Sequence, residues 1–318
     1  MVKISIIIPC FNAEAYINKC LSSFEKQSFR DFEIILINDC STDNTKQEIQ
    51  KIKERGTLKI KYIENTKNSG PAASRNTGIK IASGEWISFC DCDDWYESNF
   101  LEIMLKQAEN EKCDVVFCGY NLIIGTKKIK HTLSNTNKII NSKDALLLNV
   151  DSLCVMLVKQ EIISQISQPE IRNGEDMAII PVIITKATQI GIVPSALYNY
   201  YIRKGSASTS PSLKVVDSLI KSYDFINSKI DSEYKLEKEY IGIRNLIYGA
   251  LLNLFKCSYN TKKANEILTY FNQFFPFWYK NPYIHKLPIT KRIFIKLAQH
   301  KNFMALRLLS LLHQKILK

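Results

Sequence analysis

Over the first 120 residues, short apolar runs alternate with stretches whose apolar residues return every three or four positions. That alternation is the mark of β-α units feeding a mainly parallel sheet. The runs predict strands at 4–8, 32–37, 58–63 and 86–90, with a fifth at 114–119. Between them Tyr16, Ile17, Cys20, Leu21 and Phe24 form one helical stripe for which Asn12 is the expected cap, a second helix starts near Thr42, and a third covers 71–82. Residues 127–141 are polar and β-branched, the pattern of an irregular or edge-strand segment. Beyond Pro211 the periodicity is helical to the end, broken by an aromatic, proline-bearing stretch at 274–288. No repeat and no flexible linker divides the chain. The expected organisation is an α/β domain over 1–211, with one half at about 1–120 and the other at about 121–211, followed by a smaller helical region over 212–318.

In an open parallel sheet, ligands bind beyond the carboxyl ends of the strands, where the strand order reverses. That edge collects Phe11 and Asn12, then Asp39, residues 65–68, and the acidic run at 91–94. Polar residues gather in any loops, so it is their identity that carries the argument.

A chain of 318 residues, 46% hydrophobic and 23% charged, can bury a sizeable core and is neither disordered nor of low complexity. Its nine cysteines are odd in number and sit in or beside apolar runs, which fits a reducing, cytoplasmic setting. Cys90 and Cys92 have no second Cys or His pair at zinc-like spacing. The apolar run at the N-terminus stops at Pro9, too short for a signal peptide, and no uninterrupted apolar run of 18 occurs elsewhere. The protein is therefore expected inside the cell, at most touching a membrane surface.

The net charge of +12 is unevenly placed: 212–318 carries 18 Lys and Arg against 7 Asp and Glu, and no acidic residue follows Glu266. Recognition-helix patterns and aromatic-arginine platforms for nucleic acid are not evident, so an anionic membrane is the simpler partner. In the last helical stretch, Arg307, Ser310, Gln314 and Lys318 form a narrow polar stripe, while Met304, Leu308, Leu309, Leu311, Leu312 and Ile316 spread over a wide apolar arc. That arc is expected to bury itself in the protein, in a homodimer partner, or in the inner face of the cytoplasmic membrane.

Asp91-Cys92-Asp93-Asp94-Trp95 follows a buried strand directly. Two carboxylates one residue apart at a strand end can address one hard cation, and oxygen ligands suit Mn2+ or Mg2+; the bland alternative is a solvated turn. Asp39 is expected to accept a base N–H, whereas Ser41, Thr42 and Asp43 cap the next helix. Gly70-Pro71-Ala72-Ala73-Ser74-Arg75-Asn76-Thr77-Gly78 starts a helix with small residues and one arginine. Arg75 there serves either a diphosphate or an acidic loop. Asn173-Gly174-Glu175-Asp176-Met177 offers a carboxylate, Asp176, as a general base or as the cap of a helix over 177–185. Tyr198 to Ser208 reads as aromatic platforms followed by a cationic loop that includes Arg203, or as a strand and an exposed basic turn. No phosphate-cradling P-loop and no G-x-G-x-x-G turn follows any predicted strand, which removes the main support for an ATPase or a dehydrogenase.

Together, Ile6-Ile7-Ile8-Pro9-Cys10-Phe11-Asn12, Asn38-Asp39-Cys40-Ser41-Thr42-Asp43, Ser74-Arg75-Asn76-Thr77-Gly78, Asp91-Cys92-Asp93-Asp94-Trp95, Gly174-Glu175-Asp176 and Tyr200 to Ser208 resemble family 2 glycosyltransferases with the GT-A fold. The resemblance covers roughly 1–210. It implies an inverting, metal-dependent transfer from a nucleotide sugar, of UDP type, to a cell-surface glycan or lipid-linked oligosaccharide. Asp39 matches the base-contacting aspartate, Asp91 and Asp93 the Asp-x-Asp pair, and Asp176 the general base; Pro9, Phe11 and Asn12 would line the nucleotide pocket. Cys40 stands where Gly is usual, and Cys92 where Ser or Ala is common. A sugar-1-phosphate nucleotidyltransferase should carry a glycine-rich basic loop after the first strand, which Cys10-Phe11-Asn12-Ala13-Glu14 is not. A carbohydrate-binding or scaffold protein that has lost catalysis is the alternative of another class, opposed by the joint presence of Asp91, Asp93 and Asp176.

Overall fold

Strands β1 (Ile4–Cys10) and β2 (Phe32–Asn38) are buried at every position, so they read as continuous apolar runs rather than as alternation. In the computed structural model, which describes residues 2–172, 174–203 and 211–316, they pair side by side toward one end of a ten-stranded sheet. β3 (Ile60–Glu64), β2, β1 and β4 (Trp86–Phe89) lie side by side and parallel, each joined by a helix: α1 (Ile17–Glu25), α2 (Thr45–Glu54) and α3 (Pro71–Ile81). Gly78 lets α3 press onto the sheet, since a Cβ there would meet Ile7 Cγ2 at 2.5 Å.

Past β4 the sheet turns mixed. β5 (Trp95–Tyr96) and α4 (Phe100–Asn110) lead into β6 (Val115–Ile124), which runs five residues beyond the predicted fifth strand. The 127–141 segment supplies two edge strands, β7 (Lys127–His131) and β8 (Lys138–Ile140). After α5 (Ser142–Leu146), β9 (Met156–Lys159) inserts antiparallel between β4 and β6, an insertion that periodicity does not announce. Then come α6 (Gln160–Ile163), α7 (Glu175–Lys186) and β10 (Ile190–Tyr201), which pairs parallel with β6 and antiparallel with β5 and β8.

The chain divides into two compact units, Met1–Arg172 with Val182–Lys204, and Asn173–Pro181 with Gly205–Lys318. Residues 173–181, which the sequence groups with the α/β domain, thus cluster with the C-terminal helices. The second unit continues through α8 (Leu213–Lys229), α9 (Lys235–Gly242), a π-helical stretch Ile243–Ala250, α10 (Leu251–Cys257), α11 (Thr261–Phe274), α12 (Ile289–Gln299) and α13 (Phe303–Ile316). Its core is built on the buried side chains of Tyr223, Leu246, Ile247, Phe255 and Phe271. The 274–288 interruption is held by Asn281, whose side chain accepts from Tyr283 N at 2.9 Å and donates to Leu236 O at 2.9 Å. Among the described residues, no helix is long and apolar enough to cross a membrane.

Candidate active site

Because β1, β2 and β4 are parallel, their carboxyl ends share one edge, and the loops that follow them meet there. The first two loops are stitched to each other. Asn12, at φ +49, does not cap α1, which begins five residues later; instead its Oδ1 accepts from Thr42 N at 2.9 Å and its own N–H donates to Ser41 Oγ at 3.0 Å. Asp43 accepts from Glu14 N at 3.1 Å and from Thr45 N, at the first residue of α2, at 3.0 Å. The cap position itself is Asn44, whose side chain makes no capping bond, and Ser41 and Thr42, expected to cap this helix, bond to Asn12 instead. Pro9 is buried at the end of β1 and Phe11 is exposed.

Asp39 is nearly buried, and its carboxylate gathers the loop before α3. Oδ1 accepts from Asn65 Nδ2 at 2.8 Å and from Ser69 N at 3.0 Å, and Oδ2 from Gly70 N at 2.7 Å. Gly70 has φ +87, a conformation that a side chain would strain, and Pro71 then starts the helix. Cys40 also lies in the left-handed region, at φ +59, the backbone reason for glycine at this place.

The acidic run after β4 is held by residues distant in sequence. Arg75, on α3 and buried, donates through Nη2 to Asp91 Oδ1 at 2.9 Å, the acidic-loop pairing that is one of its two expected roles. Arg203 Nε forms an ion pair with Asp93 Oδ2 at 3.1 Å. Among the described residues, Asp91 Oδ2 and Asp93 Oδ1 take no hydrogen bond from another residue. Burial first, then the charge of Asp91, pushes the Asp93 carboxyl above its ordinary value, with Arg203 opposing. Asp94 is 1% exposed and serves the fold: it accepts from the Tyr198 hydroxyl and, at 2.7 Å, from Tyr201 N. Burial, then the charges of Asp91 and Asp93, drives its carboxyl well up.

Pairing of β10 with β5, Asn199 opposite Trp95, brings Tyr201 and Arg203 to this loop. Lys19 Nζ stands 3.2 Å from the Trp95 ring centroid, and the Tyr201 ring lies 6.3 Å from Trp95 and 6.2 Å from Tyr16. The Arg203 guanidinium lies over Tyr16 at 5.6 Å. Sequence spacing assigns Tyr16 to the apolar stripe of α1. It is half-buried and faces this aromatic and cationic box instead, while Ile17, Cys20, Leu21 and Phe24 go inward. Lys19 carries no local motif; its position three residues after Tyr16, off the apolar stripe, is its one sequence signal. The remainder of the expected basic loop, 204–210, and Asn173 lie outside the described residues.

Asp176 stands in the second unit, within the first turn of α7, which begins at Glu175; it is therefore inside the helix rather than its cap. All nine cysteines are free thiols. Cys20 and Cys90 lie 3.9 Å apart at Sγ, packed behind Asp91 O. No cluster of three or more metal-ligating side chains occurs among the described residues, so a cation here would rest on Asp91 and Asp93 and draw further oxygens from substrate and water. The two free carboxylate oxygens and the raised Asp93 fit such a cation. A cavity of about 540 Å³ lined by Lys46, Ile49, Lys53 and Tyr62 shares none of these residues.

Residues 5–166 match the family described as Glycosyl transferase family 2. The glycosyltransferase GlyA of Streptococcus pneumoniae is 27% identical over 266 residues, 79% of this chain and 38% of its own. The poly(ribitol-phosphate) β-N-acetylglucosaminyltransferase TarS of Staphylococcus aureus is 26% identical over 247 residues, 74% of this chain and 42% of its own. This chain thus spans less than half the length of either relative. The crystal structure of TarS 1-349 in complex with UDP superposes with a TM-score of 0.72 at 23% identity, covering 98% of this chain and 91% of that one. A mannosyltransferase from Pyrobaculum calidifontis, solved in complex with GDP-Man and Mn2+, superposes with a TM-score of 0.59 at 14% identity, covering 95% and 87%.

Proposed function

This chain belongs to glycosyl transferase family 2 with the GT-A fold, and we propose that it moves a hexosyl or N-acetylhexosaminyl residue from a UDP-sugar, with inversion, to a hydroxyl of a cell-surface glycan or lipid-linked oligosaccharide. The observation that carries this reading is the pair Asp91 and Asp93, each fixed by one arginine and each retaining one oxygen. Mn2+ or Mg2+ bound there supplies neutralisation of the charge that develops on a diphosphate leaving group. Arg75 and Arg203 hold the two carboxylates in place before substrate arrives, so little reorganisation is needed at the moment of reaction.

The remaining roles are argued from chemistry. Asp39 Oδ2 takes a single backbone donor and retains a lone pair, the acceptor that the N–H of a pyrimidine base requires. Pro9, Phe11 and Asn12 flank it, with exposed Phe11 offering a face to the base. Trp95, Tyr201 and Tyr16 offer apolar faces to a sugar ring, and Asp176 removes the proton of the attacking hydroxyl. TarS and the mannosyltransferase support the donor class through the UDP and the GDP-Man with Mn2+ bound to them.

The test is thermal stabilisation by a panel of nucleotide sugars, each with and without Mn2+, followed by turnover of the donor that stabilises most. Cation-dependent stabilisation by UDP-sugars is expected. Stabilisation by a donor with no turnover on any glycan acceptor would favour a carbohydrate-binding protein of the same fold.

A further inference from the structure

We propose that the outer faces of α12 and α13 dock this chain on an anionic lipid surface. α13 turns part of its predicted polar stripe inward and its apolar arc outward, so of the three expected sites for that arc the chain's own core is not the one used. Ser310, a member of the predicted polar stripe, is fully buried together with Leu306, and its hydroxyl is spent on Leu306 O at 2.7 Å. Arg307, of the same stripe, donates to Phe255 O on α10. The apolar arc looks out: Met304 is 77% exposed, Leu308 61% and Leu312 48%, with Leu311 beside them. These positions, 304, 308, 311 and 312, follow helical spacing and form one face.

α12 repeats the arrangement with charge added. Phe294, Ile295 and Ala298 point inward, whereas Ile289 and Ile293 are exposed one turn apart with exposed Arg292 and Lys296 on the same face. An apolar face edged by cations on a helix too short to span a bilayer is the build of an element lying in a lipid interface.

Charge selects the occupant. After Glu266 the chain has nine Lys and Arg and no acidic residue. A second copy seated isologously would bring these same cationic faces together, Arg292 and Lys296 against their own images, with no carboxylate from this segment to relieve them. Anionic headgroups relieve Arg292 and Lys296 and accept the leucines below them. The inference does not depend on the transferase reading.

The test is co-sedimentation of the full chain with phosphatidylglycerol and with phosphatidylcholine vesicles over a range of salt, with sedimentation velocity of the free protein. The variants are Leu308→Asp with Leu312→Asp, and separately Arg292→Glu with Lys296→Glu. All four residues are exposed, and circular dichroism checks the fold. Binding to phosphatidylglycerol is expected to exceed that to phosphatidylcholine, to weaken as salt rises, and to fall at least about tenfold in each double variant. Equal binding to both lipids, or binding unchanged in both variants, overturns the proposal. So does a dimer of the free protein that the leucine variant dissolves, which would assign the face to a second copy.

Discussion

At the amino edge of the sheet, Glu33 receives the Ser5 hydroxyl at 2.7 Å, the Ser83 N–H and hydroxyl, both at 2.8 Å, and Lys61 Nζ at 2.7 Å. Burial works against its ionisation, yet these donors outweigh it and hold the carboxyl down at about 2. At the carboxyl edge of the same sheet, Asp93 and Asp94 are pushed up by burial and by carboxylates within three residues of them. One residue class thus does opposite work at the two edges. A carboxylate saturated with donors locks strands and loops together. A crowded one leaves a demand for positive charge that Arg75 and Arg203 meet in part and that the proposed cation would complete. Asp39 sits at the carboxyl edge but is bonded in the manner of Glu33, which makes it an anchor of the loop before α3 as well as a ligand candidate.

The sharpest way to break the contrast is at Asp93. Asp93→Ala should lower turnover at least about 1,000-fold, the scale of a lost charge stabiliser in a reacting site, with the thermal midpoint little changed. Excess chelator should do the same to the unaltered protein, and full activity in chelator would end the cation reading. Asp176→Asn comes next, with a loss of about 100-fold in turnover and donor affinity nearly unchanged; a collapse of donor affinity would move Asp176 into the nucleotide site.

At the other edge the effect should fall on stability. Glu33→Gln is expected to cost about 2 kcal/mol at neutral pH, as for hydrogen bonds to a charged group, without altering the affinity for donor. The sign follows from the depressed folded value. The contribution of Glu33 is fully present above about pH 4.5, its ordinary value, and is lost as pH falls toward about 2. Denaturant titrations from pH 7 to pH 2 should therefore show the gap between the two proteins closing across that window. A constant gap would mean the loss is one of packing. The smallest effect is at Cys40, where Gly relieves a left-handed backbone but loosens the unfolded chain. Cys40→Gly should add about 0.5 kcal/mol, read as a small rise in thermal midpoint.

The sequence by itself determined the βα order of the first 120 residues, because fully buried parallel strands must be continuous apolar runs and their covering helices must carry stripes. It determined the candidate carboxylates too, since Asp91, Asp93 and Asp39 follow strand ends directly and strand ends share an edge. Which groups each carboxylate pairs with was decided by tertiary structure alone, because its partners come from far along the chain. Arg75 and Arg203 lie 16 and 110 positions away from Asp91 and Asp93 in sequence, and no local pattern couples them. The antiparallel insertion of β9 and the pairing that carries Tyr201 to Trp95 are likewise long-range choices of register. So is the orientation of α13: periodicity finds two faces, but the packing of Leu306 and Ser310 into the C-terminal helices selects the one that turns inward. Periodicity reports which residues share a face, and the neighbours that a face meets belong to the whole fold.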